Sequence, residues 1–282
     1  MMRRQPRPRG VALIAVLWIV AALSILVTGM VQAQRDEVRL VSSARQMVQG
    51  RALGNAAIQL ALQSMAGRTD PVNRLTRVDV TFAGLVIAVE IVPLNGLIDI
   101  NRAGDRLLGA LLRVAGGLDA DRAAALASAL VASRVSGPMT QRGPRFEAIE
   151  DLLQVPGVDF TLYAKISPLI TTDTRGSGRV NAMAAPEAVL AVLAEGDLSR
   201  AARIAAARDD GGIGVDTTDL PAQFLDVAPS RGFRLLARVP LTDGRRLLSS
   251  RMVETGRRAA DGVPWRIFQA EDLFEPVPAT KN

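Results

Sequence analysis

The sequence predicts an α+β protein: a long N-terminal helix packed on a small antiparallel sheet, with a large all-helical block inserted within the sheet domain. Three observations carry this expectation. An apolar run continues without a breaker into an amphipathic stretch, from Gly10 to about Ala66. Strand-like alternation occurs in two separated places, near residues 77–92 and 233–269. The long stretch between them has helical periodicity. Each strand group alone is too small for a stable sheet, so the two are expected to join.

The N-terminal helix comes first. Val11 to Ala33 is 23 residues without a charge or a proline. At 1.5 Å per residue this is roughly 34 Å of helix, enough to cross a bilayer core. Val38, Val41, Ala44, Val48, Ala52, Ala56 and Leu60 then recur at three- and four-residue steps, with Arg35, Arg39, Arg45 and Arg51 mostly between them. One apolar face on a continuing helix follows. Ahead of the run, Arg3, Arg4, Arg7 and Arg9 occur without an acid. Such a flank holds its end of a spanning helix in the cytoplasm and places the remainder outside. A signal peptide cut at Val31-Gln32-Ala33 would need an apolar region beyond the usual length.

Residues 67–76 are turn-rich and end the helix. Val78, Val80 and Phe82 alternate with polar residues, and Leu85 to Val92 is β-branched and apolar. With Ala83-Gly84 between them, they read as an antiparallel pair. Helices are expected over Asp105–Leu112, with Asn101 as cap, and over Asp121–Val135, Pro186–Ala194 and Leu198–Arg208. Phe146–Leu153 and Leu162–Ile166 flank Val155-Pro156-Gly157-Val158. Phe233, Leu235, Ala237, Val239 and Leu241 alternate again, Asp243-Gly244 suits a hairpin turn, and Leu247–Val253 is its partner strand. Trp265, Ile267 and Phe268 mark a last short strand, with a frayed tail from Glu271.

Composition limits the chemistry. Cysteine and histidine are both absent. That removes disulfides, thiolate metal sites, the commonest general base and most zinc sites. No catalytic constellation is visible, and an enzyme is not expected. The basic leader accounts for +4 of the net charge of +6, leaving a near-neutral remainder that makes a poor nucleic-acid footprint.

Basic leader, Gly10, apolar helix and amphipathic continuation together resemble the N-terminus of type IV pilins and pseudopilins. The resemblance implies cleavage after Gly10 by a prepilin peptidase, leaving Val11 first and N-methylated. The usual family residue five places after the cut is Glu; here it is Ala15. In the family that Glu meets a neighbour's N-terminal amine, so a subunit without it suits a filament end. A pilin-like fold with a large helical insertion most resembles the K-type minor pseudopilin of type II secretion. The expected organisation is a leader (1–10), a transmembrane half-helix (11–33), an amphipathic half-helix (34–66), a first part of the sheet domain (67–95), the insertion (96–225), and the remaining strands and tail (226–282). The resemblance implies an inner-membrane protein with a periplasmic C-terminal domain. It also implies the I- and J-type minor pseudopilins, the major pseudopilin, the prepilin peptidase and secreted substrates as partners. Its role would be to form or cap the tip of the pseudopilus.

Three motifs lie in the insertion. Gly96–Ala103 and Gly176–Met183 form a weak repeat in which Asn101 and Asn181 can each stop an extended segment and cap a helix. Caps and turns account for every residue in it. Glu150 to Asp159, followed by Ala164-Lys165-Ile166, resembles a helix–hairpin–helix, or SAM-like, subdomain. In nucleic-acid-binding versions a second Gly keeps the backbone amides open to phosphate, but Asp159 stands there and would repel it. The hairpin reads as a packing device and no nucleic acid is expected; a membrane-anchored competence-type DNA receptor is the alternative. Finally, Asp209, Asp210, Asp216 and Asp219 lie among turn glycines, a composition that suits Ca²⁺. The K-type resemblance allows calcium, but the spacing is not an EF-hand, and a solvated turn describes the residues better. No cofactor is required.

Overall fold

The computed structural model describes residues 9–68, 70, 72–134, 146–172, 175–211, 215–242, 244–256 and 262–275; along the first helix, side chains are described at 16–21, 23, 24 and from 41 onward. The chain divides into two compact units, Met1–Ala52 and Leu53–Asn282.

One helix, α1 (Arg9–Ala66), runs through the first unit and into the second. No proline interrupts it, and its glycines weaken it without ending it. In the first unit Leu17 and Trp18 are exposed, as are Val16, Ile19, Val20 and Leu23. Among the described residues no helix is long and apolar enough to cross a membrane. The expected span at 11–33 falls largely on residues whose side chains lie outside those described.

The second unit is built on a five-stranded antiparallel sheet of order β1-β2-β5-β6-β7: β1 (Thr76–Phe82), β2 (Leu85–Pro93), β5 (Gly232–Pro240), β6 (Arg246–Thr255) and β7 (Trp265–Phe274). Thus β2 pairs with β5 across the whole insertion, with Val89 opposite Ala237 and Ile91 opposite Leu235, and the two strand groups make one sheet. The β1–β2 turn is closed by Ala83 and Gly84, both at positive φ, as a tight two-residue hairpin requires. Asp243 of the second hairpin lies outside the described residues.

Period-two alternation gives the sheet two faces. The inner face carries Ile87, Val89, Ile91, Leu235, Ala237, Val239, Leu247 and Val253, all buried. The Leu53–Ala66 end of α1 lies on it through small residues. A Cβ on Gly54 would come within 2.4 Å of the Ser249 hydroxyl and 3.4 Å of Val239. Ala57, Ile58, Ala61 and Leu62 are buried in the same part of the helix.

The last strand differs from expectation. It is ten residues long and continues through Glu271 to Phe274 instead of fraying. Asp272 lies opposite Ser249 and Phe274 opposite Leu247, so cross-strand bonds carry a polar segment that looks like tail.

Between β2 and β5 come β3 (Ile98–Asp99), α2 (Asp105–Val114), α3 (Ala120–Ser133), a 3₁₀ segment (Ile149–Gln154), α4 (Phe160–Ile166), β4 (Ile170–Thr171), α5 (Glu187–Leu193) and α6 (Leu198–Asp209). Leu108, Leu112, Leu152, Ile166, Leu190 and Leu193 share its core. The insertion is not purely helical: β3 and β4 form a two-residue parallel ladder, and Val180 bridges Leu225. These are the points where chain segments pass too close together to leave their amides unpaired.

The insertion packs on the outer face. Arg234 of β5 donates to the Pro168 carbonyl just beyond α4, and Met252 of β6 packs against the insertion core.

Candidate functional site

The N-terminal residues come first in chain order. Gly10, Val11 and Ala15 lie within the first turns of α1, which has no acid in its first turn; their side chains lie outside those described.

The hairpin motif is resolved in detail. Gly157 takes positive φ between the 3₁₀ segment and α4. Asp159 is the N-cap of α4, its carboxylate accepting from the Leu162 amide at 2.7 Å. The amide that a phosphate would need is therefore occupied by the protein's own carboxylate. Asp151 closes the first half by accepting from the Glu147 and Ala148 amides. Both acids of the motif thus cap its own backbone amides.

The two Asn residues of the repeat do not cap helices. Gly104 precedes α2 and Pro186 precedes α5 at the cap positions. Instead Asn101 grips the backbone of Phe146, its side-chain oxygen accepting from the amide and its nitrogen donating to the carbonyl. Asn181 accepts from the Met183 amide and donates to the Asn73 carbonyl. Both tie a distant segment to a local turn, which sequence spacing alone cannot reveal.

The acidic residues separate. Asp209 ends α6 between two guanidinium groups, Arg208 at 2.7 Å and Arg77 at 2.6 Å. Burial pushes its carboxyl up, but the Arg208 and Arg77 contacts outweigh this and hold it below the usual carboxylate range. Asp216 accepts from the hydroxyl and amide of Thr218, which also lower its pKa. Asp210 is exposed beyond the helix end, and Asp219 lies in the turn, where its carbonyl accepts from Arg200. Residues 212–214, which join the pairs, lie outside the described residues. Among the described residues no cluster of three acidic groups is placed to hold a metal ion.

What the fold brings together is a pair of polar junctions on the two faces of the sheet. On the outer face Arg77 bonds both Asp209 and Glu90, so a chain of charges runs from buried Arg208 through Asp209 and Arg77 to Glu90. On the inner face the Arg251 guanidinium, buried under α1, donates to Asn55 Oδ1 at 2.7 and 3.1 Å. It also pairs with Asp272 at 3.1 Å, while Asp272 accepts from the Ser249 hydroxyl at 2.6 Å. Sequence reasoning missed Gly54, Asn55, Arg251 and Asp272. Gly54 and Asn55 do not belong to the apolar face read from the sequence; in the structure Gly54 is buried and Asn55 beside it is exposed.

No family model matches the chain. No curated protein matches it either. Among solved structures, the chain is similar to one from the crystal structure of the GspK–GspI–GspJ complex of the enterotoxigenic Escherichia coli type 2 secretion system. That similarity has 14% sequence identity and a TM-score of 0.48, and covers 84% of this chain and 99% of the other.

Proposed function

We propose that this protein is a minor pseudopilin of type II secretion, of the K type, which forms or caps the tip of a periplasmic pseudopilus. The observation that carries the reading is the order of parts. A basic leader and Gly10 precede a 23-residue uncharged run, and that run continues as one helix to a sheet interrupted by a helical insertion. The apolar run would anchor the chain in the inner membrane with its N-terminus cytoplasmic. A prepilin peptidase would cut between Gly10 and Val11. In the assembled filament the helix would pack against those of the other minor pseudopilins and the major pseudopilin. Ala15, where a carboxylate would salt-bridge a neighbour's amine, suits a subunit with no neighbour beyond it. The role is mechanical, supporting export of secreted proteins, and requires neither catalysis nor a cofactor.

The test is intact-terminus mass spectrometry of the protein taken from its native membrane. The expected chain starts at Val11 and carries an N-methyl group. A start at Met1 would return the chain to an ordinary membrane anchor, and a start near Gln34 would make it a signal-peptide-processed protein. Either result overturns the reading.

A further inference from the structure

The sheet ends in two edges of opposite character. β7 is guarded. Phe268 stands opposite no residue of β6, which makes a bulge, and Asp272 points a charge onto the inner face opposite Ser249. Bulges and inward-pointing charges keep a second strand from adding to an edge. β1 has neither device. Its seven residues pair with β2 in unbroken register and include no proline. On the inner face Val78 and Val80 are only half-buried, and Phe82 is 41% exposed.

The hairpin fixes where the β1 backbone points. Across the two-residue turn at Ala83-Gly84, Phe82 and Leu85 form the hydrogen-bonded closing pair. Alternation then turns the N–H and C=O groups of Thr81, Asp79 and Arg77 away from β2. Among the described residues no backbone group meets them, and β1 is the last strand on its side of the sheet. The edge is closed at Leu75, whose amide donates to the Met183 carbonyl of the insertion.

An open edge accepts an extended backbone, and the side chains here select a second copy of the same strand. An antiparallel pair with a two-fold axis at Val80 sets Val80 opposite Val80, Val78 opposite Phe82 and Asp79 opposite Thr81. Apolar side chains then meet on the inner face, and each carboxylate faces a hydroxyl on the outer face. Arg77 lies beyond the paired stretch and stays with Glu90 and Asp209. The neighbouring registers fail. An axis at Asp79 puts two carboxylates directly opposite each other. An axis at Val78 sets Thr81 of the second copy against Leu75, whose amide is already taken.

We propose that the β1 edge docks a second copy of this chain, strand to antiparallel strand, with the two-fold axis at Val80. The paired stretch, Val78–Phe82, is short, so the association is weak and reversible. It involves the second unit alone and does not rest on the secretion reading.

The chain has no cysteine, so introduced cysteines report the contact without background. Across the axis Val80 forms a non-hydrogen-bonded pair, whose Cα separation of about 4.5 Å is within disulfide reach. The full chain in detergent micelles is oxidised with copper–phenanthroline, and dimers are read on a non-reducing gel. The Val80→Cys variant is expected to cross-link. A mixture of Val78→Cys and Phe82→Cys chains is expected to give a mixed dimer. Neither of these cross-links with itself, because like positions stand roughly 13 Å apart along the strands. Ala270→Cys, on the guarded β7 edge, measures random collision. Adding Thr81→Asp to Val80→Cys sets carboxylates opposite each other and abolishes the dimer, and a further Asp79→Thr restores it. The proposal is overturned if Val80→Cys cross-links no faster than Ala270→Cys, or if Val78→Cys cross-links with itself. It is also overturned if Thr81→Asp leaves the dimer intact, or if Asp79→Thr fails to restore it.

Discussion

The two faces of the sheet are fastened by similar chemistry in different surroundings. Under α1, the Arg251 side chain is 7% exposed and Asp272 12%, with Asn55 and Ser249 completing the set. On the opposite face Arg77 is 55% exposed and Asp209 34%, although both make shorter contacts than the Arg251–Asp272 pair. Distance alone would rank the outer junction as the stronger. Burial reverses the ranking: water screens and replaces partners at the outer face, and is largely kept from the Arg251–Asp272 pair. The inner junction is therefore where loss of one group does most damage.

The most severe way to break the comparison is at Gly54. Ser249 stands 2.4 Å from where a Cβ would lie and is held there by Asp272, so it cannot swing away. Gly54→Leu is expected to keep the end of α1 off the sheet and to abolish the cooperative melting transition. Gly54→Ala is expected to destabilise less, and a Ser249→Gly change to recover much of that loss. A double-mutant cycle on thermal unfolding measures the coupling, and additivity between the two sites would show that no such notch exists.

Next is Arg251→Ala. It leaves the half-buried Asp272 carboxylate without its guanidinium counter-charge, and the expected loss is about 3 kcal/mol, measured by denaturant unfolding. A loss below about 1 kcal/mol would place this junction in the surface class.

These two positions also mark where sequence reading stops. The strands were legible because alternation survives in all four: β2, β5 and β6 each have one buried face, and β1 alternates half-buried with exposed residues. The pairing of β2 with β5 followed from the inability of either strand group to stand alone. The end of β7 was not legible, because Glu271 and Asp272 on an edge strand carry the composition of a tail. Asn55 and Arg251 are 196 residues apart, and neither residue type signals a partner at that distance. Likewise Asn101 had the right position for a cap, but Phe146 offered both a donor and an acceptor and won the competition. At the candidate calcium loop, composition indicated carboxylates but not the arginines that engage Asp209.

The outer junction gives smaller effects. Asp209→Ala strips the counter-charge from Arg208, which is buried and otherwise donates to the Ala185 carbonyl; about 1–3 kcal/mol is expected. Arg77→Ala removes only the exposed end of the chain and is expected to cost less than about 1 kcal/mol. The pH dependence has a definite sign. Asp209 has its folded-state pKa depressed below 3.8, so its contribution is present above that value and is lost as pH falls through the folded-state pKa. Acid unfolding of the Asp209→Ala variant should be correspondingly less steep than that of the parent. An unchanged acid limb would mean that Asp209 is not held by its arginines in solution.

The smallest effect at neutral pH is at Tyr163, where α4 lies near the outer face. Burial, with the negative charge of Glu150 beside it, raises the phenol to about 12. It is the chain's only tyrosine, so the tyrosinate absorbance reports this one group. In the unfolded chain the proton leaves near the ordinary value of 10.0, while the folded protein keeps it to about 12. The folded state then binds more protons than the unfolded state across that window, and stability falls as pH rises through it. Tyr163→Phe should change neutral stability by no more than about 0.5 kcal/mol and should flatten the alkaline fall. An absorbance midpoint at the ordinary phenol value would mean that Tyr163 is not packed beside Glu150 in solution. The outer face would then be more open than the inner one in packing as well as in charge.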